Sequence, residues 1–249
     1  MSVPDAATVA VDGLRRTFDD VTALDGVDLT VADPAIVGLA GPNGSGKTTL
    51  IRCLLGLLTP TAGTVRVFGQ PATAMDAPTR RAIGYMPQTD AVYTDLTVRE
   101  NVAFFARLYG VADRAAAVDD ALEVVGLEHR GSDRVATLSG GMVRRTSLAC
   151  AVVHDPTILV LDEPTVGLDP ALRAEMWDRF RTWRSAGTIV VLSTHYLGEA
   201  GNCDRVVFLR DGHVLADDTP DAFRAATGAD DLEAGFLALL DAHDRGATR

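Results

Sequence analysis

Lys47 is the single lysine of this chain, and it stands in the string GPNGSGKT, residues 41–48; the other 22 of the 23 basic side chains are arginine. A sequence that avoids lysine almost everywhere keeps one where arginine would serve badly. An ammonium is a compact point charge that fits beside phosphate oxygens, whereas a guanidinium is a broad planar fork. The spacing is G-x-x-x-x-G-K-[ST], a phosphate-cradling loop. Gly41, Gly44 and Gly46 let the backbone aim its N–H groups at an anion, with Pro42, Asn43 and Ser45 between them. Thr48, Thr49 and the apolar run after them predict a helix over about 47–57, whose N-terminus adds a positive dipole end. The set implies a bound nucleoside triphosphate, with ATP the leading candidate.

Two further strings carry chemistry. In ILVLDEP (158–164) a buried strand ends in Asp162 and Glu163. A carboxylate at that edge beside a phosphate loop is placed to hold Mg²⁺ together with the Thr48 hydroxyl, and Glu163 is the candidate to polarise an attacking water. In LSGGM (138–142) Ser139, Gly140 and Gly141 open a helix, giving an anion-ready N-terminus with a hydroxyl on it.

The elements that must position these residues follow from periodicity. Residues 8–40 alternate and then turn continuously apolar, which predicts strands, the last running into the phosphate loop. TAGTVRVFGQ predicts a turn and a strand, and AIGYMPQ (82–88) a short strand ending at Pro87. From about 89 to 153 the pattern is helical, a candidate lobe inserted into an α/β core. Strands return at 157–164 and 188–195, with a helix near 170–186 between them. A hairpin turning at Asp211-Gly212 and a helical tail from Pro220, with Leu232, Phe236, Leu239 and Leu240 on one face, complete the chain.

Composition narrows the function. The net charge of −11 argues against nonspecific nucleic-acid binding, which depends on basic side chains. No apolar run reaches transmembrane length and no signal peptide is visible, so the chain is expected in the cytosol or held at a membrane by a partner. Cys53, Cys150 and Cys203 lack C-x-x-C spacing and read as buried apolar residues in a reducing compartment. Scarce lysine, abundant aspartate and abundant alanine point to a high-salt cytoplasm; GC-rich coding would favour arginine, alanine and glycine but does not account for so acidic a surface. Activity measured against KCl should therefore rise with salt, and best activity in low salt would sink the idea.

Taken in order, GPNGSGKT, Gln88, LSGGM, ILVLDEP, GLDP (167–170) and His195 make the chain closely similar to the ATPase subunits of ATP-binding cassette transporters over roughly residues 8–220. The resemblance implies a P-loop NTPase core with a mixed sheet, an N-terminal antiparallel β subdomain and an inserted α-helical subdomain. The core would take about 8–88 and 154–220, the helical subdomain about 89–153, and a helical tail 221–249. Two cassettes would stack head to tail around two ATP molecules, the phosphate loop of one facing LSGGM of the other. Phe18 matches the aromatic that stacks on adenine, and Gln88 the residue linking the γ-phosphate and Mg²⁺ to the helical lobe. Asp169 matches the loop that communicates between sites, and His195 the histidine that clamps the γ-phosphate and the lytic water. Met142 stands where the family usually has Gln. Singly, Phe18 reads as well as core packing, Gln88 as a plain loop residue and His195 as a structural histidine; their joint spacing favours function.

Segments 93–110 and 193–206 resemble the exporter branch with a separate integral-membrane permease, whose short cytoplasmic helix would enter a groove near Gln88 to Tyr109. Phe104, Phe105, Leu108 and Tyr109 are candidates to line it, or simply core. The implied protein is a peripheral ATPase on the cytoplasmic face of the membrane, hydrolytically competent and paired with a second copy of itself. The alternatives are a soluble cassette ATPase in DNA repair or on the ribosome, and more remotely a P-loop kinase or GTPase. One cassette, no cysteine pairs and an acidic charge weigh against the first; LSGGM and His195 weigh against the second.

Overall fold

The computed structural model of the chain describes residues 9–89 and 91–247, so residue 8, where the first strand is expected to open, lies outside the described residues. In chain order the strands are β1 (Val9–Phe18), β2 (Val21–Val31), β3 (Ile36–Ala40), β4 (Ala62–Val67), β5 (Gln70–Pro71), β6 (Ile83–Met86), β7 (Ile158–Asp162), β8 (Ile189–Thr194), β9 (Arg205–Arg210) and β10 (His213–Asp218). The helices are α1 (Lys47–Leu54), α2 (Ala77–Arg81), α3 (Val98–Leu108), α4 (Arg114–Val124), α5 (Gly140–Val152), α6 (Pro170–Ser185), α7 (Leu197–Ala200), α8 (Pro220–Thr227) and α9 (Leu232–Ala247). The chain divides into two compact units, one of Met1–Met75 with Val191–Arg249 and one of Asp76–Val190.

The first unit holds an antiparallel sheet in the order β2-β1-β4-β5. It also holds β3 parallel to β9, with Val37 opposite Arg205 and Ala40 opposite Phe208, and β10 antiparallel to β9. The expected hairpin turn is there: Asp211 and Gly212 both have positive φ, 49° and 82°, the pair a two-residue primed turn requires. β3 is buried along its whole length, which is why it reads as an unbroken apolar run rather than an alternation. Leu39, Leu50 and Ile51 are fully buried, each contributing about 1.5–3 kcal/mol relative to exposure. The tail packs through rings: Phe208 lies 4.2 Å from Phe223 and 5.4 Å from Phe236, centroid to centroid.

Helix α1 is shorter than its apolar run. It ends at Leu54, and beyond it the Leu57 N–H reaches back to the Arg52 carbonyl at 2.9 Å, closing the last turn. The tail is also broken, since Gly228 caps α8 in the left-handed region (φ 65°) and Asp231 accepts the Ala234 N–H at 2.8 Å to start α9.

In the second unit β6 runs parallel to β7, Ile83 opposite Ile158 and Met86 opposite Leu161. The helical stretch expected from the sequence contains α3, α4 and α5. Thr97 starts α3 with a reciprocal cap: its Oγ1 accepts the Glu100 N–H at 3.1 Å and Glu100 Oε2 accepts the Thr97 N–H at 2.8 Å. The Thr97 N–H first, and the Thr97 side chain second, hold the Glu100 carboxyl below the usual carboxylate range. Val98, Val102, Ala106, Val118, Leu122 and Leu148 supply the buried faces of the three helices.

Candidate functional site

The glycine-rich loop of residues 41–46 lies in the first unit, between β3 and α1. Gly41 has no room for a side chain, because a Cβ would sit 2.2 Å from the Leu209 carbonyl oxygen. Gly46 has φ 106°, and a Cβ there would sit 2.7 Å from the Ala23 carbonyl oxygen. The Gly212 N–H donates to the Ser45 carbonyl at 3.2 Å, and the Asp25 N–H to the Gly212 carbonyl at 2.9 Å. Neighbouring backbone therefore moulds the loop. Pro42, Asn43, Gly44, Thr48 and Thr49 complete it, and Ser45 Oγ is buried without a hydrogen-bond partner among the described residues.

Lys47 is buried at the start of α1, and its Nζ donates to the carbonyls of Gly41 (2.7 Å) and Pro42 (2.9 Å). α1 starts from Gly46, with no side-chain cap and no acidic residue in its first turn. The first N–H groups of a helix have no partner within it, and with no acid beside them the dipole end stays positive.

Phe18, at the end of β1, is 39% exposed and so is not core; the Arg16 guanidinium carbon lies 4.4 Å from its ring centroid. His195 follows β8 directly and is half-buried beside the Tyr196 ring, with centroids 4.1 Å apart. Its position is tied to the loop through the residue before it, because the Gly41 N–H donates to the Thr194 carbonyl at 3.3 Å.

The acidic pair lies in the second unit. Asp162 closes β7, and both Asp162 and Glu163 are buried. Glu163 has φ 53°, a left-handed conformation that costs a residue with a Cβ about 1–3 kcal/mol. Gln88 is exposed, and its Nε2 donates to Glu163 Oε2 at 3.4 Å. The sequence reading missed the residue that holds this group together: Arg144, on α5, donates to the carbonyls of Pro87, Gln88, Asp162 and Glu163 at 2.6–2.9 Å. Two arginines in MVRRT gave no sign of which one turns inward.

Ser139 is the N-cap of α5 and is exposed; its Oγ accepts the Met142 N–H at 3.4 Å. Residue 142 thus serves the cap through its backbone, so methionine in place of glutamine leaves the helix start intact. Gly140 is exposed, with open space where a Cβ would go, and a Cβ on Gly141 would make an ordinary 3.5 Å contact with Leu168. Asp169 caps α6, its Oδ1 accepting the N–H groups of Ala171 and Leu172 at 3.0 Å each.

On the α3 side of the second unit, Phe104 and Leu108 are exposed, whereas Tyr109 stacks on His154 with ring centroids 3.7 Å apart. Tyr93 joins the exposed group through an edge contact with Phe104, centroids 5.2 Å apart. Buried Asn101 pins the Tyr93 segment, accepting the Tyr93 N–H at 2.7 Å and donating to its carbonyl at 3.0 Å. The three cysteines are buried and free; burial pushes the Cys53 thiol up to about 11 and the other two higher, away from the reactive thiolate.

Residues 24–166 match the family model described as ABC transporter. The chain is 42% identical over 219 residues to a Nod factor export ATP-binding protein I from Rhizobium sp. (strain N33), covering 86% of this chain and 72% of that protein. It is 40% identical over 235 residues to the protein of the same name from Paraburkholderia xenovorans (strain LB400), covering 93% and 77%. A solved ATP-binding subunit of an ABC transporter superposes with a TM-score of 0.85 at 30% identity, over 93% of this chain and 99% of that one. A dimeric ATP-binding cassette in a post-hydrolysis state, bound to ADP and Pi, gives 0.78 at 26% identity, over 85% and 98%. The glycine-rich loop before α1, the carboxylate pair at the end of β7 and the serine-capped helix thus occur in a chain that belongs to the ABC transporter family, as an ATP-binding and ATP-hydrolysing subunit.

Proposed function

We propose that the chain is the motor of an exporter: it dimerises head to tail around two Mg-ATP, and closure and opening of that dimer drive a separate membrane permease. The observation that carries the reading is the uncapped, acid-free N-terminus of α1 behind a loop that excludes side chains, with the lysine ammonium held ready on the loop's own carbonyls. The direction of transport rests on the export proteins among the relatives.

The donors fit Mg²⁺. Thr48, Asp162 and Gln88 offer hard oxygens, and among the described residues no three His, Cys, Asp or Glu side chains gather into a cage. Mg²⁺ needs no cage, since it is taken through one or two carboxylates together with substrate phosphates. Bound there, it would neutralise charge on the β- and γ-phosphate oxygens.

The chain's residues then have distinct tasks. Phe18 stacks on adenine, and Gly41 to Thr49 wrap the phosphates with backbone N–H groups. Lys47 Nζ exchanges its carbonyl partners for phosphate oxygens. Glu163 accepts a hydrogen bond from the attacking water and draws its proton, while His195 and Gln88 hold that water and the γ-phosphate in line. Ser139, Gly140 and Gly141 of the partner close over the γ-phosphate, and Asp169 passes the state of one site to the other. ATP favours the closed dimer and hydrolysis the open one, a population shift that the permease reads. The exposed Tyr93, Phe104 and Leu108 are the surface offered to it.

Ser139→Arg tests the dimer. A bulky cation on the exposed cap should block closure over the partner's nucleotide and abolish hydrolysis, while single-chain nucleotide binding stays largely intact. Loss of that binding as well would mean that Ser139 serves the nucleotide of its own protomer or the fold itself.

A further inference from the structure

We propose that Arg144 is a positioning residue for hydrolysis: one buried guanidinium sets both Gln88 and Glu163, and ties their aim to the helix that starts at Ser139. The proposal rests on Glu163 being the residue that activates water.

The geometry is that of a four-point clamp. Arg144 is 5% exposed. Its Nη1 donates to the carbonyls of Pro87 and Gln88, both at 2.9 Å, and its Nη2 to those of Asp162 (2.6 Å) and Glu163 (2.7 Å). The two nitrogens of one rigid plane thus hold two separate chain segments at a fixed spacing. Those segments carry the two side chains that meet, Gln88 Nε2 and Glu163 Oε2.

The left-handed backbone of Glu163 acquires a purpose here. In an extended strand, successive carbonyls point to opposite sides. Positive φ at Glu163 breaks that alternation and lets the carbonyls of Asp162 and Glu163 address the same nitrogen. The clamp and the strained turn require each other, and together they aim the Glu163 carboxylate.

Arg144 also lies five residues after Ser139 on the same helix, about 7.5 Å along its axis. A shift of α5 when its N-terminus meets the partner's nucleotide is therefore felt at Gln88 and Glu163 of the same protomer. Arg144 links a protomer's own hydrolytic pair to the site it completes on its mate. Lysine could not substitute, since a single ammonium cannot hold four carbonyls on two segments.

The experiment uses Arg144→Lys and Arg144→Met in the full chain, alone and combined with Glu163→Gln. It reads steady-state Mg-ATP hydrolysis, binding of a fluorescent ATP analogue, and thermal unfolding. Both single variants are expected to lose at least about tenfold in kcat while nucleotide Kd moves less than about threefold, and neither should lower the residual rate of Glu163→Gln further. Wild-type kcat in a folded variant, or a full multiplicative loss on top of Glu163→Gln, would overturn the proposal. If the methionine variant does not fold, the lysine variant, which keeps the buried charge, decides between these outcomes. Normal hydrolysis by Glu163→Gln itself would instead overturn the role of Glu163, so the two failures are told apart.

Discussion

Glu163→Gln is expected to bind Mg-ATP with near-normal affinity, to hydrolyse it about 10²–10⁴-fold more slowly, and to accumulate as a closed dimer. The substitution replaces one carboxylate oxygen by an amide nitrogen and keeps the size. The left-handed backbone at this position and its carbonyl contact with Arg144 involve main-chain atoms, so the local fold should persist. What disappears is the negative charge that draws a proton from water. With that step stalled, the ATP-bound state lasts long enough for size-exclusion chromatography or light scattering to find dimers at saturating Mg-ATP. A variant that stayed monomeric and turned over at the wild-type rate would remove Glu163 from the mechanism.

Lys47→Ala is expected to abolish measurable ATP binding. A buried charge-assisted contact to phosphate is worth up to about 3 kcal/mol, roughly a hundredfold in Kd, before any misplacement of the γ-phosphate is counted. The ammonium also donates to the Gly41 and Pro42 carbonyls, so its removal leaves those oxygens without this donor. The cost to stability should nevertheless be modest, about 1 kcal/mol, because α1 is anchored by Leu50, Ile51 and Leu54 rather than by Lys47. Titration with a fluorescent nucleotide, alongside a thermal melt, separates the two effects. Unchanged nucleotide affinity would refute the assignment of the loop.

Much of this architecture was legible from periodicity and local chemistry. β3 is apolar throughout and β7 and β8 open on four apolar residues each, all three being buried along their length, and the Asp211-Gly212 turn follows from the φ values that those two residue types tolerate. Ser139 as a helix cap is a local signal too. The end of α1 was harder, since Leu55 and Leu57 continue the apolar pattern after the helix has closed on Arg52. The clamp was not readable at all. Nothing in MVRRT separates Arg144, which turns inward to four carbonyls, from Arg145, which donates to the Val125 carbonyl at 3.1 Å and the Gly126 carbonyl at 3.2 Å. Those partners are distant in sequence, so only the folded chain pairs them. Asn101 was silent for the same reason: an amide on a helix is ordinary until the loop it pins is in place. Phe18 shows the reverse, an aromatic that base expectation puts in the core but that stands exposed at a strand end.

The head-to-tail composite site is the claim on which the rest depends, and a structure of Glu163→Gln grown with Mg-ATP tests it most directly. The expected density has the γ-phosphate touched by Lys47 Nζ of one protomer and by Ser139 of the partner subunit. A nucleotide enclosed by a single protomer, with the Ser139 end of α5 turned to solvent in every copy, would contradict it.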